Sequence, residues 1–218
     1  MLARHWFASV AVVLVAGSAW WAGQPSGNNF ERAHAHNERG ERYAHRGQIA
    51  EGLRQFTHAI ECSPRDPLYR YNWAMTASSF RREAQALYGG NVEELLARCL
   101  AEFQAARDLA PHEHLYGRTY AEMFYMLTAP RWDEAYRAWE FCLQQPLSPV
   151  DREQVVARLA RICMQRDEFA EAEKWLAQMT SADAFQYRAA LERKLAARRA
   201  GAADVADAGM LRAIRESP

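Results

Sequence analysis

Seven residues between positions 40 and 64 stand at fixed intervals: Gly40, Tyr43, Gly47, Gly52, Phe56, Ala59 and Pro64, at offsets 0, +3, +7, +12, +16, +19 and +24. That spacing predicts two antiparallel helices. The small residues Gly40, Gly52 and Ala59 let the helices approach closely, while Tyr43 and Phe56 fill the space between them. Gly47 supplies the turn, and Pro64 lies past the second helix, where a missing amide hydrogen does no harm. A single hairpin of this kind cannot bury its apolar face, so the unit calls for stacked copies.

Further copies are present. A second begins at Asp66-Pro67 and keeps Tyr71-Asn72-Trp73-Ala74 and Ala77, then Cys99, Phe103, Ala106 and Pro111 at the intervals of Gly52, Phe56, Ala59 and Pro64. Ala74 and Cys99 are 25 residues apart where the first copy has 12, so an insertion at about 79–93 either lengthens the helices or adds an ordered loop at Gly89-Gly90. The third copy runs through Tyr120, Ala121 and Phe124 to Ala135, Trp139 and Cys142, with two extra residues near Ala129-Pro130. The fourth has Leu159, Ala160, Cys163, Asp167, Ala172, Leu176 and Met179, without the closing proline. Asp183 to Arg199 reads as a capping helix, and 200–218 as an alanine-rich tail. No strand signal appears after residue 30, and the domain over 33–199 is expected to be all-α.

These intervals resemble the signature of the tetratricopeptide repeat. The resemblance implies a right-handed α-solenoid of about four helix-turn-helix units, an interaction scaffold whose first helices line a concave groove for a protein or peptide segment. The groove candidates are His34, Asn37 and Glu41 on the first unit, Tyr71 and Met75 on the second, Arg118, Glu122 and Tyr125 on the third, and Arg161 on the fourth. One subset of the family grips a partner's terminal carboxylate with basic residues and asparagines. The corresponding places here include Asn37, Glu41 and Asn72, and a glutamate among them repels a carboxylate, so the clamp and its co-chaperone role are rejected. Tyr71, Met75 and Tyr125 instead suggest an apolar strip flanked by Arg118 and Arg161, suited to a segment with acidic side chains. The competing expectation is that the tyrosines pack between helices and the arginines are solvated.

Residues 1–23 read as a signal anchor or a signal peptide. Trp6 to Ala22 carry no charge and follow Arg4 and His5. Phe7 to Ala16 followed by Gly17-Ser18-Ala19 meets the requirements of a cleavable signal. Continuation of the run through Trp20 and Trp21 fits an uncleaved anchor better, with the tryptophans at the far interface. At about 1.5 Å per residue the run reaches about 26 Å, against a hydrocarbon core of about 30 Å. Arg4 keeps the short end in the cytoplasm. Residues 24–32 read as a linker, from Gln24-Pro25-Ser26-Gly27-Asn28-Asn29. Arginine outnumbers lysine 25 to 2, a composition of GC-rich genomes. On a bacterial assumption the expected location is inner-membrane anchored with the repeat domain periplasmic, or periplasmic or secreted after cleavage.

Charge and motifs narrow the function further. Lysine plus arginine (27) equals aspartate plus glutamate (27), which gives no long-range attraction to nucleic acid. His34 and His36, with His45 and His58 nearby, suggest metal ligands, but side chains two apart on a helix point about 200° apart, so no metal is assigned. Cys62, Cys99, Cys142 and Cys163 form no Cys-x-x-Cys and read as inert core thiols, with Cys142 and Cys163 the pair to test for a disulfide. There is no phosphate loop, nucleophile elbow or His-Glu-x-x-His. Glu93, Glu94, Glu171 and Glu173 read as solvated helix-face charges. Neither catalysis nor a cofactor is expected.

Overall fold

The computed structural model describes residues 27–201. The anchor or signal reading of 1–23 and most of the tail over 200–218 lie outside the described residues. No described helix is long and apolar enough to cross a membrane.

Ten α-helices follow one another: α1 (Gly27–His45), α2 (Ile49–Cys62), α3 (Pro67–Ser79), α4 (Arg81–Tyr88), α5 (Val92–Leu109), α6 (His114–Met123), α7 (Trp132–Leu143), α8 (Pro149–Gln165), α9 (Phe169–Leu176) and α10 (Phe185–Arg199). A 3₁₀ turn over Phe124–Met126 closes α6. Among the described residues there is no strand. Four pairs form, α1 with α2, α3 with α5, α6 with α7 and α8 with α9, and each second helix also meets the next first helix.

The spacing acts as read. A Cβ on Gly40 would fall 2.6 Å from the Phe56 ring, so Phe56 occupies the space of a missing side chain. Gly52 is less crowded but still close, its would-be Cβ 3.1 Å from the Gly40 carbonyl oxygen. After α1, Gly47 turns the chain at φ +74°, its N–H donating to Ala44 O at 3.0 Å and that of Gln48 to Tyr43 O at 2.9 Å. The fourth unit repeats this cap with Asp167 at φ +58°, Asp167 N–H to Met164 O at 3.3 Å and Glu168 N–H to Cys163 O at 2.9 Å. Starts are equally local. Asp66 and Ser148 accept backbone N–H bonds ahead of Pro67 and Pro149, and Asn91 with Glu94 forms a reciprocal capping box.

Two expectations are corrected. The linker over 24–32 is helical from Gly27, because glycine and asparagine oppose a helix only in its interior and the first turn needs no amide partners. The insertion is neither a lengthened helix nor a loop alone. It forms α4, which packs on α2, α3 and α5 and ends at Gly89 and Gly90, with φ +73° and +80°. Tyr88 at its end is the tie: Trp73 Nε1 donates to the Tyr88 hydroxyl at 3.0 Å, and Thr57 Oγ1 lies 3.1 Å from it. The Arg98 guanidinium covers both rings, 4.1 Å from Trp73 and 4.7 Å from Tyr88.

One core runs from Ile49 through Trp73, Phe103 and Phe124 to Ile162. A second lies under α8, α9 and α10, where Leu191 and Leu195 press onto Val156, Ala160 and Cys163. A small third, Ala33 with Ala59 and Tyr69, closes the amino-terminal end.

Candidate functional site

The first helices α1, α3, α6 and α8 carry seven of the nine groove candidates at two repeated positions, with His34 one turn before them on α1 and Tyr125 in the 3₁₀ turn after α6. Asn37, Tyr71 and Arg118 share one, and Glu41, Met75, Glu122 and Arg161 share the next along the same face. The structure separates them into a closed half and an open half.

At the amino-terminal end, Asn37 is 3% exposed and cannot meet a partner, which corrects its place among the candidates. Its Nδ2 donates to Glu41 Oε1 at 2.9 Å, and Asn72 Nδ2 donates to Asn37 Oδ1 at 2.9 Å and to Glu41 Oε1 at 3.1 Å. This network joins α1 to α3 and occupies the Glu41 carboxylate. The amides of Asn37 and Asn72 are thus spent inside the array. His34 remains exposed, its Nε2 3.3 Å from Glu38 and its ring stacked on Phe30 at 6.5 Å.

Further along, Tyr71 is half-buried between Phe103 (5.8 Å) and Tyr116 (5.2 Å), and Met75 packs against the main core. Burial raises the Tyr71 phenol above its ordinary range, with Thr119 partly offsetting it. These two side chains hold α3 to α5 and α6 rather than forming an open strip.

The open half lies on α6 and α8. Arg118 Nε donates to Glu122 Oε1 at 3.1 Å, and both side chains remain over a third exposed. One turn on, Tyr125 meets Trp132 at 6.0 Å with the rings tilted by 53°, and the Arg158 guanidinium sits 5.6 Å from the Tyr125 ring and 5.9 Å from Trp139. The Tyr125 hydroxyl and Trp139 Nε1 are both buried, and the two side chains interact with each other. Burial pushes the Tyr125 phenol up to about 12, although Arg158 and then Arg161 favour its anion. Arg158 escaped the sequence reading because its position in the repeat carries no signature residue. The excess of arginine was the available signal: seven arginines, 98, 107, 131, 158, 166, 188 and 199, lie over aromatic rings.

The cysteines are all free. Cys142 belongs to the main core, beside Gly117, and Cys163 to the second core, so the pair singled out for a disulfide is unbonded. Burial pushes the thiols of Cys99, Cys142 and Cys163 up to about 12, which keeps them protonated and unreactive. His36 Nδ1 meets Gln55 Oε1 at 2.8 Å, and its ring lies 5.3 Å from that of His58. No group of three or more metal-ligating side chains occurs among the described residues.

No family model matches the chain, and no curated protein sequence does. Among solved structures, Pseudomonas aeruginosa PilF is similar with a TM-score of 0.54 at 16% identity, over 86% of this chain and 77% of that one. The MamA protein gives a TM-score of 0.35 at 10% identity, over 68% of this chain and 90% of that one, too low to carry an argument. Both are tetratricopeptide-repeat proteins. The likeness to PilF is one of fold, and with the four helix pairs it makes this chain an α-solenoid of the tetratricopeptide type.

Proposed function

We propose that this chain is a non-enzymatic scaffold of the cell envelope that holds a protein segment bearing acidic side chains against α6 and α8. The observation that carries the reading is the cluster of Tyr125, Arg158 and Arg161 beside the Arg118–Glu122 pair. An aromatic floor with guanidinium groups around it suits a chain with carboxylates. Buried, protonated thiols argue against a cysteine nucleophile. The uncharged run over residues 6–22 supports an anchor with the solenoid on the periplasmic side. A soluble periplasmic or secreted adaptor is the second reading, favoured by Gly17-Ser18-Ala19.

The test is recovery of partners on full-length tagged protein from native membranes in mild detergent, beside an Arg118→Glu, Arg161→Glu variant with an unchanged melting curve. A partner retained by the wild type and reduced about tenfold or more by the variant supports the reading. Equal recovery by both moves binding away from α6 and α8. Mass spectrometry of the mature amino terminus decides the anchor, since a start near Trp20 means cleavage.

A further inference from the structure

We propose that His36 of α1 and His58 of α2 form a surface site for a divalent transition ion of the zinc class, held through the two Nε2 atoms with water completing its coordination. The site bridges the first helix pair and lies apart from the α6 and α8 surface.

The sequence excludes a site made by His34 with His36, and in the structure His34 turns to Glu38 and Phe30. His36 takes another course. It faces α2, where Gln55, His58 and Glu61 recur at every third residue and so share one stripe. The two helices are close on both sides of His36: three residues before it Ala33 packs with Ala59, and four after it Gly40 lies against the Phe56 ring. That approach brings the His36 and His58 rings to 5.3 Å between centres, tilted by 48°. Two imidazoles that share one tetrahedral zinc, each with its nitrogen about 2.1 Å from the ion, have their centres about 5.2 Å apart. The separation found is the one a shared ion requires.

The hydrogen bonds decide which nitrogens are free. His36 Nδ1 lies 2.8 Å from Gln55 Oε1 and His58 Nδ1 lies 3.0 Å from Glu61 Oε2, and both of those oxygens can only accept. Each neutral ring therefore carries its proton on Nδ1. Both Nε2 atoms keep a lone pair for a metal. Histidines that ligate metals donate their second nitrogen to a carboxylate or carbonyl in this way, which orients the ring and makes it a better base. Glu61 also places a negative charge beside the ion.

The surroundings set the kind of site. No third histidine, cysteine or acid joins the pair to make a larger group among the described residues, and the His58 side chain is 52% exposed, so solvent supplies the remaining ligands. That makes an exchangeable site, unlike a structural zinc closed by four protein ligands. Imidazole nitrogen selects zinc, copper and nickel over magnesium and calcium, which take oxygen. An ion held by both rings ties α1 to α2.

Calorimetric titration of Zn²⁺ into untagged full-length protein in mild detergent tests this, together with ¹⁵N spectra of the imidazoles. The expected result is one Zn²⁺ per chain and no binding of Mg²⁺. Glu61→Ala should weaken zinc binding about tenfold, as loss of an outer partner does, and His36→Ala or His58→Ala should weaken it further. His45→Ala and His112→Ala, both at exposed positions, should bind as the wild type, with melting curves in chelator confirming that each variant folds. The spectra need no variant: zinc should shift two of the seven histidines at Nε2 while their Nδ1 stays protonated. Zinc that shifts neither His36 nor His58, or that enters at Nδ1, overturns the proposal. So does an affinity indifferent to both histidine variants, and so does binding lost in Cys62→Ser, which would make the half-buried thiol the ligand.

Discussion

Gly40 and Gly47 lie seven residues apart in one unit, and each is required for a different reason. At Gly40 the obstacle is the Phe56 ring, 2.6 Å from a would-be Cβ, so Gly40→Ala should cost about 1–3 kcal/mol by crowding, and Phe56→Leu on that background should recover part of it. At Gly47 nothing lies within 4 Å, and only the backbone at φ +74° objects, so Gly47→Ala should cost about 1–2 kcal/mol whatever Phe56 becomes. Urea midpoints for the four variants separate the two. The buried thiols give a pH test. Their ionisation is raised from an ordinary 9.0 to about 12 in the folded chain. A raised acid stabilises the fold fully below its unfolded value and loses that contribution as pH climbs through the folded one. Stability should therefore fall between about pH 9 and pH 12. At pH 8 a thiol reagent should label half-buried Cys62 first and the other three only after denaturation.

At the scale of elements, α4 shows how a helix can be invisible in the sequence and firmly placed in the fold. Its start at Phe80 has no side-chain cap, and its eight residues give no apolar run, so the intervals register it only as surplus length. Contacts with distant residues hold it, above all the Tyr88 hydroxyl with Trp73 and Thr57. Tyr88→Phe should leave the Trp73 indole N–H unpaired, cost about 1–3 kcal/mol, and speed amide exchange in α4 before any other helix. The joint between α1 and α3 is comparable. Asn37→Ala removes a donor from Glu41 and an acceptor from Asn72 in one change, and should lower thermal stability by a similar amount, read from the melting curve.

Over the whole molecule, the open surface is carried by α6 and α8, and its guanidinium groups set the expected response to salt. The Debye length falls from about 10 Å at 0.1 M to about 3 Å at 1 M. A partner held through Arg118, Arg158 and Arg161 should elute as ionic strength rises over that range, whereas one held by apolar contact should stay. What the sequence alone determined is the pairing of helices: the offsets from Gly40 to Pro64, and their echoes at Cys99, Ala135 and Ala172, lie within single units, where close approach dictates residue size. Which side of each first helix stays open was decided by the tertiary structure. Asn37, Tyr71 and Met75 occupy the same positions as Arg118 and Glu122, yet they are turned into neighbouring units by the Asn72 amide, the Phe103 and Tyr116 rings and the main core. Those partners come from other repeats, and the spacing inside one repeat carries no record of how the next is rotated against it.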